Sequence, residues 1–107
     1  MTRFAIIGPY GDGQPWEVRA KNVARAEEVA RNLTAQGHQV MCAFLMTHYW
    51  LPDNRLSREH FLPLSRSILE HWAEAVVRIP GDSPGTDEEE ARAYELGLPV
   101  IGAMRKS

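Results

Sequence analysis

The chain has 107 residues, 44% of them hydrophobic and 24% charged, the make-up of one ordinary globular domain spanning positions 1–107. Its 12 basic and 14 acidic residues leave a formal charge of −2, which speaks against binding a nucleic-acid polymer or an anionic membrane surface by charge alone. A single cysteine, Cys42, excludes an internal disulfide framework and a multi-cysteine zinc site. No apolar run approaches the ~20 residues of a membrane span, and the apolar stretch at the start is too short for a signal peptide, so a cytoplasmic protein is expected.

Four short apolar runs alternate with three helical patterns. Residues 4–7 form the first run and close on Gly8-Pro9-Tyr10-Gly11-Asp12-Gly13, a strand followed by a loop. Over 17–36 the pattern turns helical: Val23, Ala26, Ala30 and Leu33 recur at three- and four-residue steps while Arg25, Glu28 and Arg31 fall elsewhere. Gly37 follows as a C-terminal cap, because a left-handed residue costs glycine little. Residues 39–46 read as a second, buried strand, and 47–55 as a long polar and aromatic loop. Leu64, Ile68, Leu69 and Trp72 share one helical face, with Pro63 expected in the first turn of that helix. A third strand over 75–79 leads into Pro80-Gly81-Asp82-Ser83-Pro84-Gly85. A helix over 87–96 follows, stopped by Gly97, and a fourth strand covers 99–103.

Strand–helix alternation with short apolar strands implies a parallel sheet covered on both faces, since parallel crossovers need helices. Right-handed crossovers leave few topologies, and the expected strand order is 2-1-3-4. Ligands of such sheets bind outside the carboxyl ends of the strands. That edge carries loops 8–16, 47–57 and 80–88 and the tail after Gly102, and with them Tyr10, Asp12, Trp16, His48, Tyr49, Trp50, Asp53, Asp82, Ser83 and Glu89.

The loop from Pro80 into Asp87-Glu88-Glu89-Glu90 joins a strand to a helix, where backbone N–H groups often cradle phosphate. Its own acids would repel one. A carboxylate used as nucleophile or base suits the electrostatics better, since a helix N-terminus favours the charged form. The same residues also match a capping box, with Thr86 as N-cap and Glu89 reaching back to it. Spacing alone favours the cap.

The segments Ile6-Ile7-Gly8-Pro9-Tyr10, Asn22, and Ala75-Val76-Val77-Arg78-Ile79-Pro80-Gly81-Asp82-Ser83-Pro84-Gly85-Thr86-Asp87-Glu88-Glu89-Glu90-Ala91, with Leu96-Gly97-Leu98-Pro99-Val100 behind them, resemble the nucleoside 2-deoxyribosyltransferase superfamily. Within it, the chain is most similar to the small deoxyribosyltransferase-like proteins with an S-x-G-x-x-x-E loop. The resemblance runs through nearly the whole chain in order. It implies a Rossmann-like (flavodoxin-like) α/β three-layer sandwich, with Glu89 as the glutamate that attacks C1′ of a deoxyribose and displaces the base. By the same resemblance Ser83 contacts the sugar or phosphate, Gly85 allows close approach of the backbone, and Tyr10 lies near the sugar. The implied chemistry is that of a retaining glycosidase or transferase. The implied assembly is a homodimer or larger oligomer, whose site is completed across subunits. In one respect the chain departs from the pattern: where members carry an aspartate in the helix before the third strand, it reads Ser65-Arg66-Ser67, with Glu74 standing later. Asp12 or Asp53 would have to substitute from a loop.

The expected site therefore comprises Glu89 and Tyr10 as catalytic residues, with Gly8, Pro9, Asp12, His48, Gly81, Asp82, Ser83 and Gly85 around a nucleoside or nucleotide, and neither cofactor nor metal. His38, His48, His60 and His71 stand ten to twelve residues apart, which is not the spacing of a metal site. Trp72 reads as core, Cys42 as a buried apolar side chain, and Tyr49 and Trp50 as either a stacking surface or a subunit contact. Arg19, Lys21 and Arg25 read as a solvated face, and as the candidates for a 5′-phosphate if the ligand is a nucleotide. The rival expectation is a non-catalytic nucleotide-binding module on the same fold. A phosphoribohydrolase of the lysine-decarboxylase-like group is disfavoured, because the loop lacks that group's longer glycine run.

Overall fold

The computed structural model describes residues 1–50 and 52–102. In chain order they form β1 (Arg3–Ile7), α1 (Trp16–Ala35), β2 (Gln39–Met41), α2 (Ala43–Thr47) with a 3₁₀ turn over His48–Trp50, α3 (Arg58–Ser67) running into a π turn over Ile68–Trp72, β3 (Ala75–Arg78), α4 (Pro84–Glu95) and β4 (Val100–Gly102). The four strands make one sheet in the order β2-β1-β3-β4, every pair parallel. This is the expected order. Ala103, expected to end the fourth strand, and the tail beyond it lie outside the described residues, as does Leu51 in the loop after α2. No helix among the described residues is long and apolar enough to cross a membrane.

Alternation along the strands sorts the core onto two faces. Phe4 and Ile6 of β1, with Ala75 and Val77 of β3, pack against Ala26, Val29 and Ala30 of α1. Ala5 and Ile7, with Val76, face Ile68 and Leu69 behind α3 and Ala93 of α4. The period-two strands thus divide α1 from α3 and α4, giving three layers. Val76 and Ala93 are fully enclosed, so the central strands carry no exposed face, as parallel sheets require. Gly37 ends α1 at φ +92°, a conformation that other residues enter only at a cost.

Two boundaries here differ from the sequence expectation. β2 stops at Met41, and the apolar run continues as α2, because a short apolar stretch fits a buried helical turn as well as a strand. Cys42, expected inside the strand, is the residue before α2 and is buried. Pro63 lies inside α3 and not in its first turn. The helix starts earlier, at Arg58 behind the N-cap Ser57, whose backbone N–H donates to His60 Nδ1 at 3.0 Å. Trp72, expected as core, is partly buried against the α3–α4 side.

Candidate functional site

The two glycine loops meet at the carboxyl edge of β1 and β3. Ile79 N–H donates to the Ile7 carbonyl at 2.9 Å, which continues the strand pairing into the loops. A side chain at Gly8 would stand 2.9 Å from Ile79 Cβ, and one at Gly81 would stand 2.6 Å from Pro9 Cγ. Gly81 also sits at φ +142°. Gly8 is therefore close-packed against Ile79 and Gly81 against Pro9, and the small size of the two glycines lets the loops touch. Arg25 of α1 donates to the Pro80 carbonyl at 3.2 Å. From the other face, Arg78 donates to the Gly81 carbonyl at 2.9 Å and to Asp87 Oδ1 at 2.7 Å, with Glu90 at 3.4 Å. Burial opposes the Arg78 charge, but Asp87 and Glu90 outweigh it and hold its pKa above the ordinary value. Asp82 is exposed at the loop tip.

α4 begins three residues earlier than expected, and Thr86 is not its cap. Ser83 is the N-cap, Pro84 takes the first helical position and Gly85 the second, an arrangement that suits proline's missing N–H. Ser83 Oγ accepts from the Thr86 N–H at 3.2 Å and from Thr86 Oγ1 at 2.9 Å, so it has only its own hydroxyl proton to offer a ligand. Thr86 is 2% exposed. This shift moves Glu89 into the second turn, beyond the strong reach of the helix terminus, and the Thr86 N–H goes to Ser83 Oγ.

Glu89 instead meets α3, where Ser65 Oγ donates to its Oε2. Ser65 lines a small depression with Ala5, Ile7, Met41, Ala43, Ile68 and Leu69. Cys42 lies within range of the Glu89 charge. Burial, with a smaller contribution from that charge, pushes its thiol up to about 12, which leaves it protonated and inert.

On the other side of α2 the first loop builds an aromatic cluster. Asn22 Nδ2 donates to the Tyr10 carbonyl at 2.9 Å and ties the loop to α1. The Tyr10 ring stacks on Phe44 at 5.4 Å between centroids. Its hydroxyl lies 2.8 Å from His48 Nδ1, within hydrogen-bonding distance. His48 is 2% exposed and stacks on Trp16 at 4.3 Å. Burial, and then the Arg19 charge, lower the His48 pKa. Burial raises that of Tyr10, with Asp12 adding to it and Arg19 opposing. Arg19 lies 5.3 Å over the Trp16 ring. Its Nε is buried and makes no hydrogen bond among the described residues.

Tyr10 and His48 are thus brought together, but His48 reaches the site through the Tyr10 hydroxyl and not by facing solvent. Asp53 is held by Arg55 Nε at 3.0 Å, a bond that lowers its pKa. His38 accepts from the Thr2 N–H at 3.1 Å, and Tyr49 and Trp50 are exposed. Sequence reasoning missed Phe44 and Arg78. It noted Ser65 only as the place of an absent acid.

No family model matches the chain, and no curated protein matches it in sequence. Among solved structures, it is similar to a 2-deoxyribosyltransferase from the psychrotolerant bacterium Bacillus psychrosaccharolyticus, with 29% identity and a TM-score of 0.61 over 94% of this chain and 70% of that one. The fold is deoxyribosyltransferase-like α/β. That relative is described as a biocatalyst for the synthesis of antiviral and antitumoral nucleosides.

Proposed function

We propose that the protein binds a nucleoside or nucleotide and cleaves or transfers at its N-glycosidic bond, with Glu89 as nucleophile. What supports this reading is the contact of the Glu89 carboxylate with Ser65 beside the depression near the ends of β1 and β2, in a fold shared with a 2-deoxyribosyltransferase. A carboxylate oxygen attacks C1′ of the sugar, and the C1′–N electron pair leaves with the base, which takes up a proton. The glycosyl ester is then attacked at C1′ from the opposite face by water or by a nitrogen of a second base. That step frees the carboxylate and releases a proton, and two inversions give net retention. No cofactor enters this scheme.

Tyr10, with Gly8, Pro9 and Asp12 of its loop, flanks the sugar on one side. Gly81, Asp82, Ser83 and Gly85 flank it on the other, with His48 behind Tyr10. The proposed assembly is a cytoplasmic homodimer or larger oligomer of a single 1–107 domain. A second reading, a non-catalytic nucleotide-binding module, is favoured by one observation: the group on α3 that meets Glu89 is a hydroxyl and not an acid.

The test is chromatographic base release from ribo- and deoxyribonucleosides and their 5′-monophosphates, with Glu89→Ala alongside. The expected result is release that falls by about 10³-fold or more in Glu89→Ala, as loss of a covalent nucleophile does. No release from any substrate, with both proteins folded, refutes the catalytic reading in favour of the binding module.

A further inference from the structure

We infer that Ser65 is a positioning residue for Glu89: its hydroxyl donates to Oε2 and fixes the orientation of the carboxylate. This rests on the reading of Glu89 as nucleophile. A hydroxyl has one proton to give, and within a helix it is ordinarily drawn to the carbonyl four residues back. Thr34 does so to Ala30 at 2.7 Å, and Thr47 to Ala43 at 3.1 Å. Ser65 gives its proton across the gap to α4 instead.

The two helices that hold the pair are set by the buried Ile68, Leu69 and Ala93, so the bond spans rigid elements. Apolar Ala5, Ile7, Met41 and Ala43 share the depression with Ser65, and a hydrogen bond to a charged acceptor is strong beside such walls. A serine also brings no charge. An aspartate in its place would set a second negative group against Glu89 and disfavour its ionised form. The hydroxyl therefore steers the nucleophile while favouring the carboxylate state that attack requires.

The experiment combines base-release kinetics across pH with a ¹³C-carboxyl NMR titration of Glu89, in the wild type, Ser65→Ala and Ser65→Thr. In Ser65→Ala, kcat is expected to fall about 10-fold with KM changed less than about twofold. Its acid limb and the Glu89 carboxyl titration should both move to higher pH, since a donor to the charged form is lost. Ser65→Thr, which keeps the hydroxyl, should restore both. An unchanged Glu89 titration in Ser65→Ala overturns the proposal, whatever the activity. Equal losses in Ala and Thr variants with a matching fall in melting temperature also overturn it, in favour of a simple pin between helices. Base release that survives Glu89→Ala removes the nucleophile reading. The NMR titration still decides whether Ser65 orients the carboxylate.

Discussion

Replacing Gly81 by alanine probes the junction on which the site is built. The new Cβ would sit 2.6 Å from Pro9 Cγ, closer than folded proteins tolerate, and the atom it meets belongs to a proline ring that cannot swing away. The backbone at φ +142° adds a second cost, because alanine avoids that region. Overpacking costs roughly 1–3 kcal/mol and the backbone strain about 1–3 kcal/mol, so Gly81→Ala should lose about 2–6 kcal/mol. For a chain of this size each kcal/mol is worth about 4–8 °C of melting temperature, so a fall of about 10 °C or more is expected. Thermal and urea unfolding followed by circular dichroism measures it. Two companions separate the causes. Gly37→Ala, at φ +92° with nothing within 4 Å, should show backbone strain alone, about 1–2 kcal/mol. In a Pro9→Ala background the ring carbon is gone, and the cost of Gly81→Ala should shrink by about 1 kcal/mol or more. A Gly81→Ala protein that melts with the wild type, or a cost indifferent to Pro9, would refute the close-contact argument.

The cap and the buried histidine are open to the same unfolding assays. Ser83→Ala should cost about 1 kcal/mol by removing the acceptor of the Thr86 N–H, and an unchanged urea midpoint would contradict Ser83 as the cap. Because the folded pKa of His48 is lowered from 6.5, the unfolded chain binds a proton at a pH where the native state does not. His48 therefore weakens the fold as pH falls below about 6.5 and leaves it unaffected well above that value. His48→Gln should flatten this part of the stability profile, measured as urea midpoints from neutral to acid pH; an unaltered slope would contradict the burial argument.

Much of the architecture was written locally. Apolar runs near 4–7 and 75–79, the helical stripe through Val23, Ala26 and Ala30, and Gly37 each announce their element within a few residues, since side-chain period and glycine's left-handed freedom are local properties. Alternation of those elements, with the handedness of crossovers, was enough for the order 2-1-3-4. The start of α4 was also legible in principle: Pro84 fits the first helical position and points to Ser83 as the cap, a signal outweighed in the reading by the Thr86–Glu89 spacing. The end of β2 was not, because an apolar run from 39 to 46 satisfies either a strand or a buried helical turn until its neighbours are known. The site belongs still more to tertiary structure. His48 is buried because Tyr10 and Trp16 arrive from a distant loop and helix to enclose it. Ser65 meets Glu89 because α3 and α4 cover the same face of the sheet. Contacts between segments so far apart in the chain depend on how the layers pack, and no local pattern encodes them.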